Sequence, residues 1–479
     1  MGGQGRQHDS SIDRRCHGDG IMRSALLTVA CAFALFGGVS AQDWPHWRGP
    51  NYDGSATAKN LPLDFGTEER VRWSVDMPGP GACTPIVIGD RVFLSSVDSK
   101  KERLVALCLD CKTGKTLWSR ATDSGYPEGA RSRTSSGRRS NYASPSPTTD
   151  GERVVFFFGN GDLVAFDYSG KELWRRNLQK DYGKFAFQWT FSASPTLWEG
   201  KLFLPVLQRD TPLGRRGRGF GGGRDAGGAT PEPIQSFLLA MDPNTGATLY
   251  KHTRDSDARV ESRESYATPI PFVNDEGQKQ LLVVGGDVIT GHDPASGKEL
   301  WRWGTWNDGH RQRSWRLVPT AVVGAGHALV CAPKREPVYA VKLGGEGDLG
   351  EAGLAWQSKG RPNPVSSDVP SPAFHGGHFY VLSDVRSALS KVEAKTGEVV
   401  WTAKLPRDYP WRASPTVADG NVFCINHNGA VAVVDMKSGT IVHEALMAGM
   451  DADQIRSSVV VAHDSLFIRT DAKLYRIGK

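Results

Sequence analysis

Apolar residues along this chain come in short runs, four to eight positions long, separated by Gly-, Asp- and Pro-rich turns. Within many runs apolar and polar residues alternate, the period of a half-buried strand. The runs also recur. VALCLDCKTGKTLW ends at Trp118, LVAFDYSGKELW at Trp174, LLAMDPNTGATLY at Tyr250 and VITGHDPASGKELW at Trp301. Three more end at Trp356, Trp401 and His443, and Trp73 closes a lone half-unit, ERVRWSVDM. The intervals are 45, 56, 76, 51, 55, 45 and 42 residues.

A second marker opens each unit. Ser/Thr-Pro or Pro-Thr precedes an apolar strand at Pro85, Pro145, Pro195, Pro269, Pro319, Pro372 and Pro415, and Val459 stands in the eighth such place. Each unit then reads as four short strands, with the Gly of a D-x-x-T-G turn supplying the positive φ of a tight hairpin. One such unit cannot bury both faces of its sheet, so units must stack. Four strands every 40–55 residues or so is the spacing of a β-propeller blade. The chain ends with three strands lacking a Trp strand, and Trp73 supplies one lacking its unit. Their pairing closes a ring and leaves no open sheet edge. The sequence therefore predicts an all-β, eight-bladed β-propeller over residues 65–479, preceded by a segment at 42–64.

The repeat A-x-D-x-x-T-G-x-x-x-W resembles that of PQQ-binding-like propellers, which include pyrroloquinoline-quinone (PQQ) alcohol dehydrogenases and BamB-like assembly scaffolds. WPHWRGPNYDG, at Trp44–Gly54, is similar to the start of exported members of this group. The resemblance implies that Trp73, Trp118, Trp174, Trp301, Trp356 and Trp401 pack between blades. Tyr250 and His443 depart from the pattern and imply weaker contacts. It also brings a catalytic Asp, a Ca²⁺ held by Glu and Asn, and a vicinal Cys-Cys pair. This chain has no Cys-Cys, and those roles cannot be carried over position by position.

Residues 1–41 read as an export signal. Arg23 is the charge, Ala25 to Phe36 the apolar stretch and Val39-Ser40-Ala41 the cleavage site, with Met22 a second candidate start. The apolar stretch is too short to span a membrane. The expected location is therefore periplasmic or extracellular. Glycine, at 55 of 479 residues, suits a turn-rich fold, and a net charge of +6 spread along the chain offers no nucleic-acid footprint. Cys331 and Cys424 lie in apolar runs and read as buried thiols. Cys108 and Cys111 form a C-x-x-C at a strand end, where no redox helix begins.

In a propeller the first strand of each blade lies nearest the axis. The residue three before each opening proline, and the one before it, then stand at the channel rim. The resulting candidates are Asn141, Tyr142, Tyr266, Trp315, Arg316, Asp368, Trp411, Arg412 and Arg456. Three arginines beside aromatic residues suit a carboxylate-binding funnel. The same arginines suit pairing with local acids such as Asp368 and Glu264, which would staple blades together. Insertions at Ser124–Ser140 and at about 208–235, the second Arg/Gly-rich, are expected on the same face, with His310, Arg311 and Arg313. His375 and His378 sit on a turn with no third metal ligand nearby, and DADQ at Asp451–Gln454 lacks a calcium loop's other acids, so no metal site is assigned. No nucleophile elbow, zinc helix or phosphate loop occurs.

These readings favour a binding or scaffold module for an envelope protein, a polysaccharide or an anionic ligand. The alternative is a PQQ-dependent oxidoreductase acting on an alcohol or sugar, with PQQ and Ca²⁺ in the funnel. Neither reading involves nucleic acid or a membrane span.

Overall fold

The computed structural model describes residues 1–2, 42–65, 68–98, 100–122, 140–212, 233–304, 306–307, 309, 311–360, 362–406, 409–447 and 455–479. Residues 3–41 of the expected export signal, most of both insertions, His310 and the DADQ stretch lie outside the described residues. Ala41–Lys479 forms one compact unit.

That unit is an eight-bladed β-propeller built on antiparallel four-stranded sheets, seven of them paired in chain order and the eighth taking its outer strand from Val71–Asp76. In the first blade the strands are Ile86–Ile88, Arg91–Asp98, Arg103–Asp110 and Thr116–Ala121. The two middle strands are buried on both faces, because each blade is covered by its neighbours. The fourth strand alternates with solvent, which explains its polar positions.

The D-x-x-T-G turn has a visible physical basis. Asp110 Oδ1 accepts the N–H groups of Lys112 and Thr113 and the Thr113 hydroxyl. These bonds, the Thr113 hydroxyl first, hold the carboxyl below its usual range. Gly114 then turns the chain at φ +73°. A side chain there would also strike the indole of Trp73, 2.7 Å from an added Cβ. The same close approach joins Trp118 to Gly170, Trp174 to Gly246, Trp356 to Gly397 and Trp401 to Gly439. In each case the indole N–H donates to a carbonyl in that next-blade turn, as from Trp118 to Tyr168 O at 3.1 Å.

Three positions differ: His443 has its Nε2 3.0 Å from Phe65 O, and the other two are Tyr250 and Trp301. Tyr250 packs on Gly297 and donates its hydroxyl to Pro294 O at 3.2 Å, taking the place of an indole. Trp301 instead lies over Gly291 of its own blade and donates to Gln280 Oε1 at 2.8 Å. The fifth blade has no T-G turn to receive it. Its connection instead contributes Gly347–Asp348, a fifth strand lying parallel to Glu299–Trp303.

The ring closes between the chain ends. Val71–Asp76 pairs with Lys473–Gly478 in the eighth blade, with Trp73 opposite Arg476 and Val75 opposite Leu474. Around the axis the blades are also laced by hydroxyls. Backbone N–H groups donate from Thr84 to Ser146, Ser146 to Ser194, Ser194 to Thr268 and Thr268 to Thr320. The series continues from Thr320 to Ser371, Ser371 to Ser414 and Ser458 to Thr84. At the joint between blades seven and eight, the Thr416 hydroxyl donates to Val459 O at 2.6 Å.

Candidate functional site

The segment at 42–65 plugs the axial channel. Trp44 bridges to Val87 in blade one, and His46 Nδ1 lies 2.9 Å from Thr148 Oγ1 in blade two. Tyr52 donates to Leu197 O in blade three, and Ser55 bridges to Val417 in blade seven. At its centre Arg48, only 2% exposed, donates to Pro372 O at 2.9 Å and Pro415 O at 3.1 Å. Burial lowers its pKa to about 10 against the opposing pull of Asp53. One guanidinium thus ties blades six and seven to the plug.

Above the plug the channel becomes a blind cavity. Trp47 forms part of its wall, and so does the residue before each opening position, Thr84, Ser144, Ser194, Thr268, Val318, Ser371, Ser414 and Ser458. Over these stand Ala82, Ser192, Tyr266, Arg316, Val369, Arg412 and Arg456. Trp189, Thr190 and His427 complete the wall from loops.

Five of the sequence candidates face elsewhere. Asn141 is 1% exposed and caps its own loop, its Oδ1 accepting Ala143 N. Tyr142 packs in the core between blades one and two. Trp411 is fully buried and donates to Pro406 O. Trp315 packs beside the core of blades four and five. Asp368 stands behind the wall and accepts Lys334 N at 2.9 Å. Asn141, Trp315, Asp368 and Trp411 stand one step further from the proline and point away from the axis because side chains alternate along an extended backbone; Tyr142 has the same offset as the wall residues, and its ring is taken up by the core between blades one and two. Trp47, Trp189 and His427 were not legible, because they arrive from loops with no fixed place in the repeat.

The cavity is asymmetric. Trp189 and Tyr266 stand on the side of blades three and four, and cations stand on the side of blades five, seven and eight. Each arginine is anchored from behind. Arg316 lies 3.7 Å from both Glu261 and Asp368, Arg412 Nε is 3.3 Å from Asp384, and Arg456 is 3.2 Å from Asp471. Arg412 remains 30% exposed and has no other hydrogen bond among the described residues, so its terminal nitrogens are available to a ligand. His427 is lowered to about 3 by burial, then by Arg412 and Arg456, so its ring is neutral at pH 7. Glu264 is fully buried beneath Tyr266, accepting its hydroxyl at 2.6 Å and also the Gln188 N–H and Arg209. Burial raises the pKa of Glu264 and of Asp384.

Among the described residues no carboxylate lines the cavity. Among the described residues no group of three or more His, Cys, Asp or Glu side chains is arranged to hold a metal ion. The five cysteines among them are separate and buried. The donor set therefore suits the carboxylates of a quinone such as PQQ, but it does not suit the Ca²⁺ that accompanies it in the resembling dehydrogenases.

Residues 66–206 and 284–477 match the family profile described as outer membrane protein assembly factor BamB. The chain belongs to that family. The fold is shared with BamB from Moraxella catarrhalis at 13% identity and a TM-score of 0.54, over 85% of this chain and 97% of the other. It is shared also with the quinohemoprotein alcohol dehydrogenase of Comamonas testosteroni at 13% identity and TM-score 0.58, over 91% and 81%. Among curated proteins, a polyvinylalcohol dehydrogenase of Sphingopyxis sp. (strain 113P3) is 25% identical over 296 residues, 59% of this chain and 38% of that one. A Pseudomonas sp. protein of the same name is 26% identical over 230 residues, 46% and 28%. The chain thus spans well under half the length of these curated relatives. Among the described residues no helix is long and apolar enough to cross a membrane.

Proposed function

We propose that this propeller is an exported binding module whose axial cavity captures an anionic ligand, or an acidic group presented by an envelope protein. One observation carries the reading: Arg316, Arg412 and Arg456 converge on a cavity that no carboxylate lines among the described residues. Anchoring acids behind each arginine fix the forks, and Arg412 stays 30% exposed on the cavity. A preformed site of this kind loses little entropy on binding. Similarity to BamB supports a partner-binding role, with the protein working outside the cytoplasm.

The test is calorimetric titration with citrate, then with PQQ as a planar tricarboxylate. Micromolar binding is expected, weakened at least tenfold in Arg412→Ala and again in Arg316→Ala. Equal affinity in all three proteins would remove the cavity from the reading.

A second reading is favoured by the polyvinylalcohol dehydrogenase relatives, whose similarity extends over 59% of this chain in one case and 46% in the other. Here the protein is an oxidoreductase with PQQ among the same arginines, the quinone supplying the electron acceptor for an alcohol. Dye reduction on adding PQQ, Ca²⁺ and an alcohol polymer supports it. A protein that binds PQQ and reduces no dye supports the binding module instead.

A further inference from the structure

Thr84, Ser194, Thr268, Ser371 and Ser414 line the cavity, and none is more than 7% exposed. Each hydroxyl oxygen accepts a backbone N–H from an adjoining blade at 2.8–3.1 Å. The pairings run Ser458 N to Thr84, Ser146 N to Ser194, Ser194 N to Thr268, Thr320 N to Ser371 and Ser371 N to Ser414. A hydroxyl has one hydrogen to give as well as lone pairs to offer. An oxygen that already accepts keeps that hydrogen, and the bond it accepts polarises the O–H. None of the five hydrogens is donated to a protein group among the described residues. The lacing therefore does more than join blades: it leaves buried donors around the axis at the inner end of the cavity.

We propose that these hydroxyls form a seat for a compact oxyanion of the sulfate class, free or as the terminal group of a sulfate ester. The inference rests on the anion-binding reading and adds to it the group that does the selecting. The arginines attract negative charge of any shape. The ring, made of neutral donors, favours an anion whose oxygens all accept. With no carboxylate on the wall among the described residues to take a ligand proton, sulfate fits better than hydrogen phosphate, which carries an O–H of its own. Blade five interrupts the ring with Val318, where Thr320 has taken over the lacing.

The experiment is calorimetry on the full propeller at low chloride and pH 7, with sodium sulfate, sodium phosphate, p-nitrophenyl sulfate and citrate. Sulfate is expected to bind more tightly than phosphate. Ser194→Ala and Ser371→Ala should each weaken sulfate about tenfold, the scale of one hydrogen bond to a charged acceptor. Because those serines also lace the blades, the decisive variant is Val318→Thr, which keeps the side-chain shape and adds a sixth donor. It should tighten sulfate several-fold. Tighter binding of the ester than of the free ion identifies a terminal group as the ligand, and the reverse identifies the free ion. If citrate binds through Arg412 while sulfate does not bind, or if Val318→Thr and both serine variants leave sulfate affinity within twofold, the seat is wrong and the arginine reading stands. If neither citrate nor sulfate binds, both fall.

Discussion

Gly54 is the most sensitive single position in the plug. Its φ is +76°, and a Cβ added there would lie 1.9 Å from Arg48 Nη2 and 2.5 Å from Cζ. Gly54→Ala therefore does two things. It holds a residue with a side chain in the left-handed region, at about 1–2 kcal/mol. It also drives the Arg48 guanidinium off Pro372 O and Pro415 O, and one charge-assisted bond is worth about 1.5–3 kcal/mol. With one of the two bonds lost for good and the other re-formed, the sum is about 3–5 kcal/mol. Unfolding entropy of about 2.1 cal/mol/K per residue, over the roughly 440 residues of Ala41–Lys479, gives about 0.9 kcal/mol/K. The melting temperature should then fall by about 3–5 °C. Gly89→Ala is the matched control: φ is +53° and nothing lies within 4 Å of the added Cβ. It carries the backbone term alone, a fall of about 1–2 °C. Scanning calorimetry on the two variants decides the matter. If both melt within 1 °C of each other, Arg48 does not clamp the blades as described.

Tyr250→Phe removes the hydroxyl bond to Pro294 O and keeps the ring on Gly297; it should cost about 1 kcal/mol in urea unfolding, and no change would reduce that contact to packing. Gly170→Ala places a Cβ 2.7 Å from the Trp118 indole at φ +85° and should lower the melting temperature more than Gly89→Ala; an equal shift would deny the indole–glycine contact its role. Burial lowers His46 to about 4 and His292 and His427 to about 3, against an unfolded value near 6.5. The unfolded chain then binds more protons below pH 6.5, so these rings contribute stability that is present above that value and lost as pH falls toward 4. Urea midpoints at pH 7.5 and 5 should show the loss, with a shallower slope in His427→Gln; an unchanged slope would place that ring in contact with solvent.

The amino-acid sequence by itself determined the blades. Four strands, a D-x-x-T-G turn and a closing Trp are local instructions, set by alternation, by Asp110-type side-chain bonds within a few residues, and by glycine's access to positive φ. Even the ring closure was legible, because Trp73 and the last three strands each lack what the other provides. The spacing from each proline also reached most of the axial wall, since a rigid repeat turns sequence offset into position. What the tertiary structure alone decided was orientation and company. Asn141, Trp315 and Trp411 stand one residue too far along an alternating backbone and turn away from the axis. Trp47 reaches the cavity from a plug whose path depends on partners hundreds of residues away, and His427 from a loop held by Pro410 and Ile455. The acids of Arg316 and Arg412 come from neighbouring blades, as Asp368 does for Arg316. No local pattern encodes which side chains meet across a closed ring, because those contacts exist only once all eight blades have packed.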